Sequence, residues 1–235
     1  MIQRVSFVVD GFNVYHSVKD AQRAIGSGPL KWLDLVALCR SYLHTFGREA
    51  RLEKVYYFSA LATHLQAQDP DVVRRHKTFI DALKARGAVV HLGQFKPKDI
   101  WCPRCKQPFR GHEEKETDVS IALKLVELAV TNACEIAALV SGDTDIAPAI
   151  ATAKRIAPHI RIAVLFPFKR ANAQLEQIAR AMAETLSYTR WRCATALNRH
   201  VRPPSRARRR QQMRRPRRAP HAVRRAPLAR TRSSA

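Results

Sequence analysis

Short apolar runs alternate with longer amphipathic stretches from the first residues of the chain to about Glu184. The short runs are rich in β-branched residues and predict strands at residues 5–9, 54–58, 88–91, 136–140 and 160–165. The longer stretches repeat apolar residues at the period of a helix, at residues 32–42, 72–86, 118–130, 146–155 and 172–184. Gly87 follows the second of these as a helix-ending glycine. Tyr15 and His16 fall on the start of another helix, and we interpret them as structural residues.

This alternation predicts an α/β fold, in which helices cover both faces of a mostly parallel central sheet to form three α/β/α layers. In such a sheet, ligands bind beyond the carboxyl ends of the strands. Polar residues that directly follow the strands are therefore the first candidates for chemistry.

Two segments interrupt the pattern. Residues 95–114 contain three prolines, two cysteines and several charges, which predict an inserted loop after the third strand. Residues 198–235 are mainly Arg, Pro and Ala with almost no large apolar side chains, so they cannot bury enough surface to fold. We expect one domain over residues 1–197 and a disordered Arg-rich tail over 198–235.

The net charge of +23 is concentrated in this tail, which has fourteen arginines and no acidic residue, although the remainder of the chain is also basic. Such a density of cations attracts polyanions, which makes RNA or another nucleic acid the first partner to consider. A solvated basic surface without a specific partner is the alternative interpretation.

The cellular compartment is predicted from the cysteines and the apolar runs. Five cysteines are an odd number and are scattered, which favours reduced thiols. No signal peptide is recognisable, and no apolar run approaches the roughly 18 residues of a membrane span. We expect a cytoplasmic protein that needs no membrane and no small-molecule organic cofactor, and that could form a homodimer.

Aspartates follow two of the predicted strands. Asp10 ends the first strand, and Asp143 and Asp145 come just after the strand at 136–140, while Asp118 begins a helix. Taken one at a time, these residues could be ordinary turn and helix-capping aspartates. Converging carboxylates would repel each other unless a divalent cation lay between them, and hard oxygen ligands suit Mg²⁺ or Mn²⁺. The sequence therefore predicts a metal site.

Three segments carry a resemblance to a known family. Residues 8–14 (VVDGFNV), 114–119 (EKETDV) and 141–145 (SGDTD) resemble the three motifs of the NYN domain, which is similar to PIN nucleases and is common in bacterial proteins of the LabA type. The resemblance extends from about residue 4 to 185. It implies a PIN-like fold and RNA hydrolysis that depends on Mg²⁺ or Mn²⁺. It also implies these roles: metal ligands Asp10, Asp118 and Asp143, a further acid Asp145, and polar supports Asn13 and Ser141.

The expected function is that of a metal-dependent ribonuclease, in which the metal activates water and Asp145 is a candidate general base. A phosphatase of the haloacid dehalogenase class would need a second aspartate at position 12, where this chain has Phe12. A non-catalytic RNA-binding or regulatory NYN module is the remaining alternative.

Cys102 and Cys105 have the spacing of half a zinc site, and His91 or His112, or another subunit, would have to supply the other ligands. An isolated pair falls short of the usual spacing signature of a zinc site, which favours free or redox-active thiols. Aromatic and cationic residues surround the pair and could stack and bind unpaired bases: Lys98, Trp101, Arg104, Lys106, Phe109 and Arg110. Alternatively, this segment only covers a small core of its own.

Lys169 and Arg170 follow the last predicted strand at the same end of the sheet. They could bind a backbone phosphate close to the metal. The neighbouring Phe166 and Phe168 could equally be packed side chains without a direct role.

Overall fold

A computed structural model of the chain describes residues 2–25, 30–181 and 186–190. Within these ranges, seven strands and six α-helices follow one another along the chain. In order they are β1 Gln3–Asp10, α1 Gly11–Ile25, α2 Leu35–Ser41, β2 Ala50–Ala60, α3 Val72–Ala85, β3 Val89–Trp101, β4 Pro108–Lys115, α4 Thr117–Val130, β5 Ile136–Val140, α5 Ala147–Ile156, β6 Arg161–Phe166, α6 Ala173–Ala181 and β7 Leu186–Arg190.

The strands form one sheet in the order β4-β3-β2-β1-β5-β6-β7. Every neighbouring pair is parallel except β3 and β4, which are antiparallel. The chain builds the sheet outward from β1 in one direction through β2 and β3, and in the other direction through β5 and β6. The crevice between β1 and β5 is therefore the topological switch point, where open α/β sheets bind their ligands.

Two apolar cores lie on opposite faces of the sheet. Val5, Phe7 and Val9 of β1 belong to the core that helices α1, α2 and α3 cover. Val8, between them, belongs to the other core, which α4, α5 and α6 cover. Because successive side chains of a strand point to opposite faces, a strand with two covered faces is apolar at most of its positions. The predicted three-layer, mostly parallel α/β/α architecture is confirmed.

Most predicted elements are confirmed, with shifted ends. The strand predicted at 136–140 coincides with β5, and the helix predicted at 72–86 corresponds to α3. Gly87 follows α3 with φ of 89°, the left-handed conformation in which glycine ends helices at little cost. The sequence indicates only the beginning of α1, which extends over Gly11–Ile25. The helix predicted at 32–42 is shorter than expected, because this segment contains the end of a 3-10 turn as well as α2.

The prediction of an inserted loop at residues 95–114 is wrong. These residues form most of an antiparallel hairpin, with β3 extended to Trp101 and paired with β4. Beyond Gly93, β3 no longer pairs with β2, so one edge of the strand needs no backbone donors. A proline is tolerated at such an edge, which explains how Pro97 can lie within a strand.

The Arg-rich tail predicted at 198–235 lies outside the described residues. Among the residues that are described, no helix is long and apolar enough to cross a membrane.

Candidate active site

Asp10 lies where β1 ends and α1 begins, and only 2% of its surface is exposed. Its Oδ1 accepts hydrogen bonds from the backbone N–H groups of Phe12 and Asn13, both at 3.0 Å. Asp10 therefore caps the first turn of α1. Gly11 is required beside it, because a Cβ atom there would lie 2.4 Å from the carbonyl oxygen of Phe58. The carboxylate is held rigidly at the mouth of the crevice.

A polar network ties Asp10 to the end of β5. The Oδ2 atom of Asp10 accepts hydrogen bonds from Asn13 Nδ2 at 2.7 Å and from Ser141 Oγ at 2.8 Å. Asn13 Oδ1 in turn accepts from the backbone N–H of Gly142 at 3.1 Å, and Ser141 Oγ accepts from that of Asp143 at 3.1 Å. Asn13 and Ser141 thus join the two strands on either side of the crevice.

Asp143 follows β5 and caps the 3-10 turn Thr144–Ile146. Its Oδ1 accepts from the backbone N–H of Asp145 at 3.0 Å. Asp145 is exposed and lies outside the close carboxylate group described below. It is nevertheless near enough for its charge to raise the pKa of Asp118.

Asp118 reaches the site from the first turn of α4. The residue before that helix, Glu116, has φ of 80°, a left-handed turn that ends β4 abruptly. Glu114 accepts hydrogen bonds from the backbone N–H of Thr117 at 3.1 Å and from its hydroxyl. Gly93 makes room for this junction, since a Cβ atom there would lie 2.7 Å from the carbonyl oxygen of Lys115.

One carboxylate oxygen from each of Asp10, Asp118 and Asp143 lies within 4.8 Å of the others. Burial raises the pKa of Asp10, while hydrogen bonds from Asn13 and Ser141 oppose the increase. Asp118 is raised to a pKa of about 6, chiefly by desolvation and then by repulsion from Asp143 and Asp10. Three carboxylates this close together repel each other, so they form a site that a divalent cation would stabilise.

The raised pKa values predict how stability depends on pH in the metal-free protein. Between the ordinary value of 3.8 and about 6, the Asp118 carboxyl binds more protons in the folded than in the unfolded chain. The free energy of unfolding should therefore fall as the pH rises through this window. Thermal melting in EDTA should show a smaller decrease for Asp118→Asn than for the parent, and added Mn²⁺ should reverse the decrease in the parent alone. Parallel profiles with and without Asp118 would contradict this.

A cavity of about 310 Å³ opens between residues 90–93, in the first part of β3, and the start of α4, where Thr117, the chain neighbour of Asp118, belongs to its lining. Its lining includes His91, Gly93, Glu116 and Ser120. The His91 ring stacks on Phe58 with ring centroids 4.7 Å apart, and its buried Nε2 atom has no hydrogen-bond partner. Desolvation lowers the pKa of His91, which favours the neutral ring. The cavity therefore combines a flat aromatic surface with polar atoms.

The predicted RNA-binding cations have different environments. Lys169 is exposed, whereas Arg170 forms an ion pair with Asp20 of α1 and so helps to hold the loop after β6. Lys98 pairs with Glu113 at 2.8 Å. Trp101, Arg104 and Lys106 are exposed at the end of the β3–β4 hairpin. Their binding of RNA stays a prediction.

Cys102 and Cys105 lie in the turn of the same hairpin, as free thiols. Neither His91 nor His112 lies with them: His91 stacks on Phe58, and the His112 ring stacks on His64 with centroids 4.4 Å apart. Among the described residues, no third potential ligand gathers around the pair. The expected intramolecular zinc site with one of these histidines is therefore not formed there.

The sequence predicts no role for Glu114 or Thr117, and it indicates His91 only as a possible zinc ligand. Glu114 and Thr117 position Asp118, and His91 lines the adjacent cavity. Glu114 is the first residue of the motif at 114–119, so the sequence could have indicated that it belongs to the site. Nothing in the sequence indicates that His91 lines this cavity, because its relation to α4 arises only when the sheet is assembled.

The fold and the acidic crevice together define a PIN-like α/β domain. Comparison with protein families identifies it further: the NYN domain model matches residues 4–183, so the chain belongs to the NYN domain family. The predicted resemblance is confirmed.

The chain is also similar to the 6-hydroxy-3-succinoylpyridine 3-monooxygenase HspA of Pseudomonas putida (strain DSM 28022 / S16). The two are 26% identical over 219 residues, which cover 80% of this chain and 65% of that protein. The chain thus spans slightly less than two thirds of the length of this relative.

Proposed function

We propose that this protein is a ribonuclease that hydrolyses RNA phosphodiester bonds with the help of Mg²⁺ or Mn²⁺. One observation carries the proposal: the carboxylates of Asp10, Asp118 and Asp143 meet within 4.8 Å at the switch point of the sheet. NYN domains are generally ribonucleases, which supports the same conclusion.

The donor set fits a hard divalent cation. Asp10, Asp118 and Asp143 offer oxygen ligands only, and the mutual repulsion described above would be relieved by bound positive charge. A bound Mg²⁺ or Mn²⁺ would acidify a water molecule and stabilise negative charge on the scissile phosphate. Asn13 and Ser141 would keep Asp10 in a single orientation through the hydrogen bonds to its Oδ2.

Asp145 is our candidate for the general base. It is exposed beside the three carboxylates without belonging to them, so its carboxylate could accept a proton from the attacking water. We further propose that the cavity lined by His91 binds a base next to the scissile phosphate, because unpaired bases stack on flat aromatic rings. Lys169 lies in the loop directly after β6, at the same end of the sheet as the aspartates, and we propose that it binds a flanking phosphate.

The direct test is cleavage of mixed, end-labelled RNAs by the purified chain with Mg²⁺, with Mn²⁺ and with EDTA. Products that appear only with the metals support the proposal. RNA binding without cleavage under any metal condition would favour the non-catalytic RNA-binding or regulatory module instead.

The monooxygenase relative suggests a second activity to measure. Non-haem iron oxygenases commonly bind their metal with two histidines and one carboxylate, whereas three aspartates form this site. The donor set therefore favours hydrolysis. Oxygen uptake by the iron-loaded chain with 6-hydroxy-3-succinoylpyridine and a reductant, in the absence of RNA cleavage, would overturn the proposal.

The Arg-rich tail is expected to anchor RNA without reading its sequence. Its fourteen arginines would release counterions from the RNA backbone. Removing residues 198–235 should weaken RNA binding several-fold or more and flatten the dependence of the dissociation constant on salt. A full-length variant with these arginines changed to glutamine is the matched control for chain length. Salt dependence equal to that of the parent in both variants would contradict the role.

A further inference from the structure

The β3–β4 hairpin extends beyond the sheet as an arm. We call residues 94–115 the hairpin arm. Their backbone forms strand pairs only within the arm, because β3 no longer pairs with β2 after Gly93. No arm residue belongs to the buried set of either apolar core. Ile100, Trp101 and Phe109 are 36%, 68% and 52% exposed near its end. The arm thus presents apolar side chains to its surroundings.

The turn at the end of the arm holds its two cysteines together. Cys102 N–H donates to the carbonyl oxygen of Gln107 at 3.0 Å, and Lys106 N–H donates to that of Cys102 at 2.9 Å. Lys106 has φ of 53°, which turns the chain back immediately after Cys105. The sulfur of Cys102 accepts hydrogen bonds from the backbone and thiol of Cys105 and from the backbone of Arg104. The two sulfur atoms therefore lie close enough together to bind one metal ion.

This pair is half of a tetrahedral zinc site. A closed site needs four ligands at about 2.0–2.3 Å from the ion. His112, the nearest histidine along the arm, lies opposite Pro97 in the ladder. The ladder ends four residues further along each strand, at the pair of Trp101 and Pro108. At about 3.3 Å per residue, that is roughly 13 Å from the turn, too far to share one ion with Cys102.

We propose that Cys102 and Cys105 from two copies of the chain bind one zinc ion and thereby join two hairpin arms into a dimer. Four thiols lose their protons as four Zn–S bonds form, with no oxidation or reduction. A second copy is the occupant that the ligands require, because an identical turn supplies the two missing thiolates. A two-fold axis through the ion would make the contact the same from both sides.

Charge and apolar surface at the end of the arm agree with this pairing. Arg104, Lys106 and Arg110 are exposed there, so two bare arms would repel each other. A zinc ion with four thiolates carries a net charge of −2, which offsets part of that repulsion. Trp101 and Phe109 lie beside the cysteine turn and would become covered by the second arm.

The test uses the full-length protein, purified under a non-thiol reductant and loaded with zinc. Elemental analysis and sedimentation velocity should give one zinc per two chains and a dimer. The double variant Cys102→Ser and Cys105→Ser should have no zinc at this site, be monomeric and melt at the temperature of the zinc-free parent. All measurements are repeated with Asp143→Asn, so that zinc at the aspartates is not counted.

Cobalt provides a spectroscopic check. Titration with Co²⁺ should produce the visible absorption of a tetrahedral thiolate complex, complete at half an equivalent per chain and absent from the double serine variant. Cys193→Ser is the matched control, since Cys193 lies outside the described residues and should be dispensable.

Several results would overturn the proposal. One zinc per monomer, or loss of zinc in Cys193→Ser, would show that a single chain completes its own site. A zinc-loaded protein that stays monomeric, or reduced thiols that bind no zinc, would leave the pair as a redox couple or a free surface feature. Dimerisation that requires RNA, rather than zinc, would assign the arm to RNA binding.

Discussion

Replacing Asp143 by asparagine is expected to reduce metal-dependent RNA cleavage by about a hundredfold or more while the protein stays folded. Loss of a group that merely supports a metal ligand typically costs about 10- to 100-fold in affinity or activity, and a ligand itself should cost at least as much. The same result is expected for Asp10→Asn and Asp118→Asn, because the three carboxylates act on one cation.

Stability distinguishes this role from simple damage to the fold. Removing one of three converging carboxylates relieves repulsion, so Asp143→Asn should be at least as stable as the parent in EDTA. Added Mn²⁺ should raise its melting temperature less than that of the parent, because a ligand stabilises a protein only through its affinity for the folded state. RNA binding in the absence of metal should persist, because the basic residues are unchanged.

Asp81→Asn is the matched control, because Asp81 is an exposed aspartate on α3, away from the crevice. It should cleave RNA and respond to Mn²⁺ like the parent. If Asp143→Asn cleaves at the parental rate, or if Mn²⁺ stabilises both proteins equally, the aspartates are not the active site.

Gly142→Ala is expected to destabilise the protein and to disassemble the site without touching any acid. A Cβ atom at position 142 would lie 1.9 Å from the carbonyl oxygen of Arg170, where neither backbone can yield easily. Overpacking of this kind costs about 1–3 kcal/mol and occasionally more. At the upper end of that range, the melting temperature of a domain this size should fall by roughly 6–12 °C.

Cleavage should fall as well, because Gly142 N–H donates to Asn13 and the adjacent Ser141 donates to Asp10. Gly111→Ala is the matched control: its added Cβ would meet the terminal methyl group of Ile100, a flexible side chain that can move aside. It should melt and cleave nearly as the parent does. Gly142→Ala with parental stability and activity would contradict the close approach of the two loops.

The local patterns of the chain predicted most of the elements for a physical reason. A strand covered on both faces is apolar along most of its length. Both ends of β5 were predicted correctly because Ile136–Val140 is such an apolar run. The same argument placed Asp10 and Asp143 at strand ends. Their carboxylates were therefore predictable as site residues before any distance was known.

The hairpin arm was not predictable in this way. Its strands pair with each other beyond Gly93, where β3 no longer pairs with β2. Pro97 and several charged residues lie on this part of β3, so the pattern of a buried strand is absent. Composition indicated a loop because a two-stranded ribbon exposed on both faces needs no apolar side to specify it.

By itself, the sequence determined the α/β class, the positions of the acids at the ends of β1 and β5, and the basic character of the protein. These properties follow from local periodicity and composition. Only the tertiary structure decided that β5 lies next to β1 and that α4 delivers Asp118 to the same crevice. Strand order and helix placement depend on how side chains from distant segments pack into the two cores, and no local pattern encodes that packing.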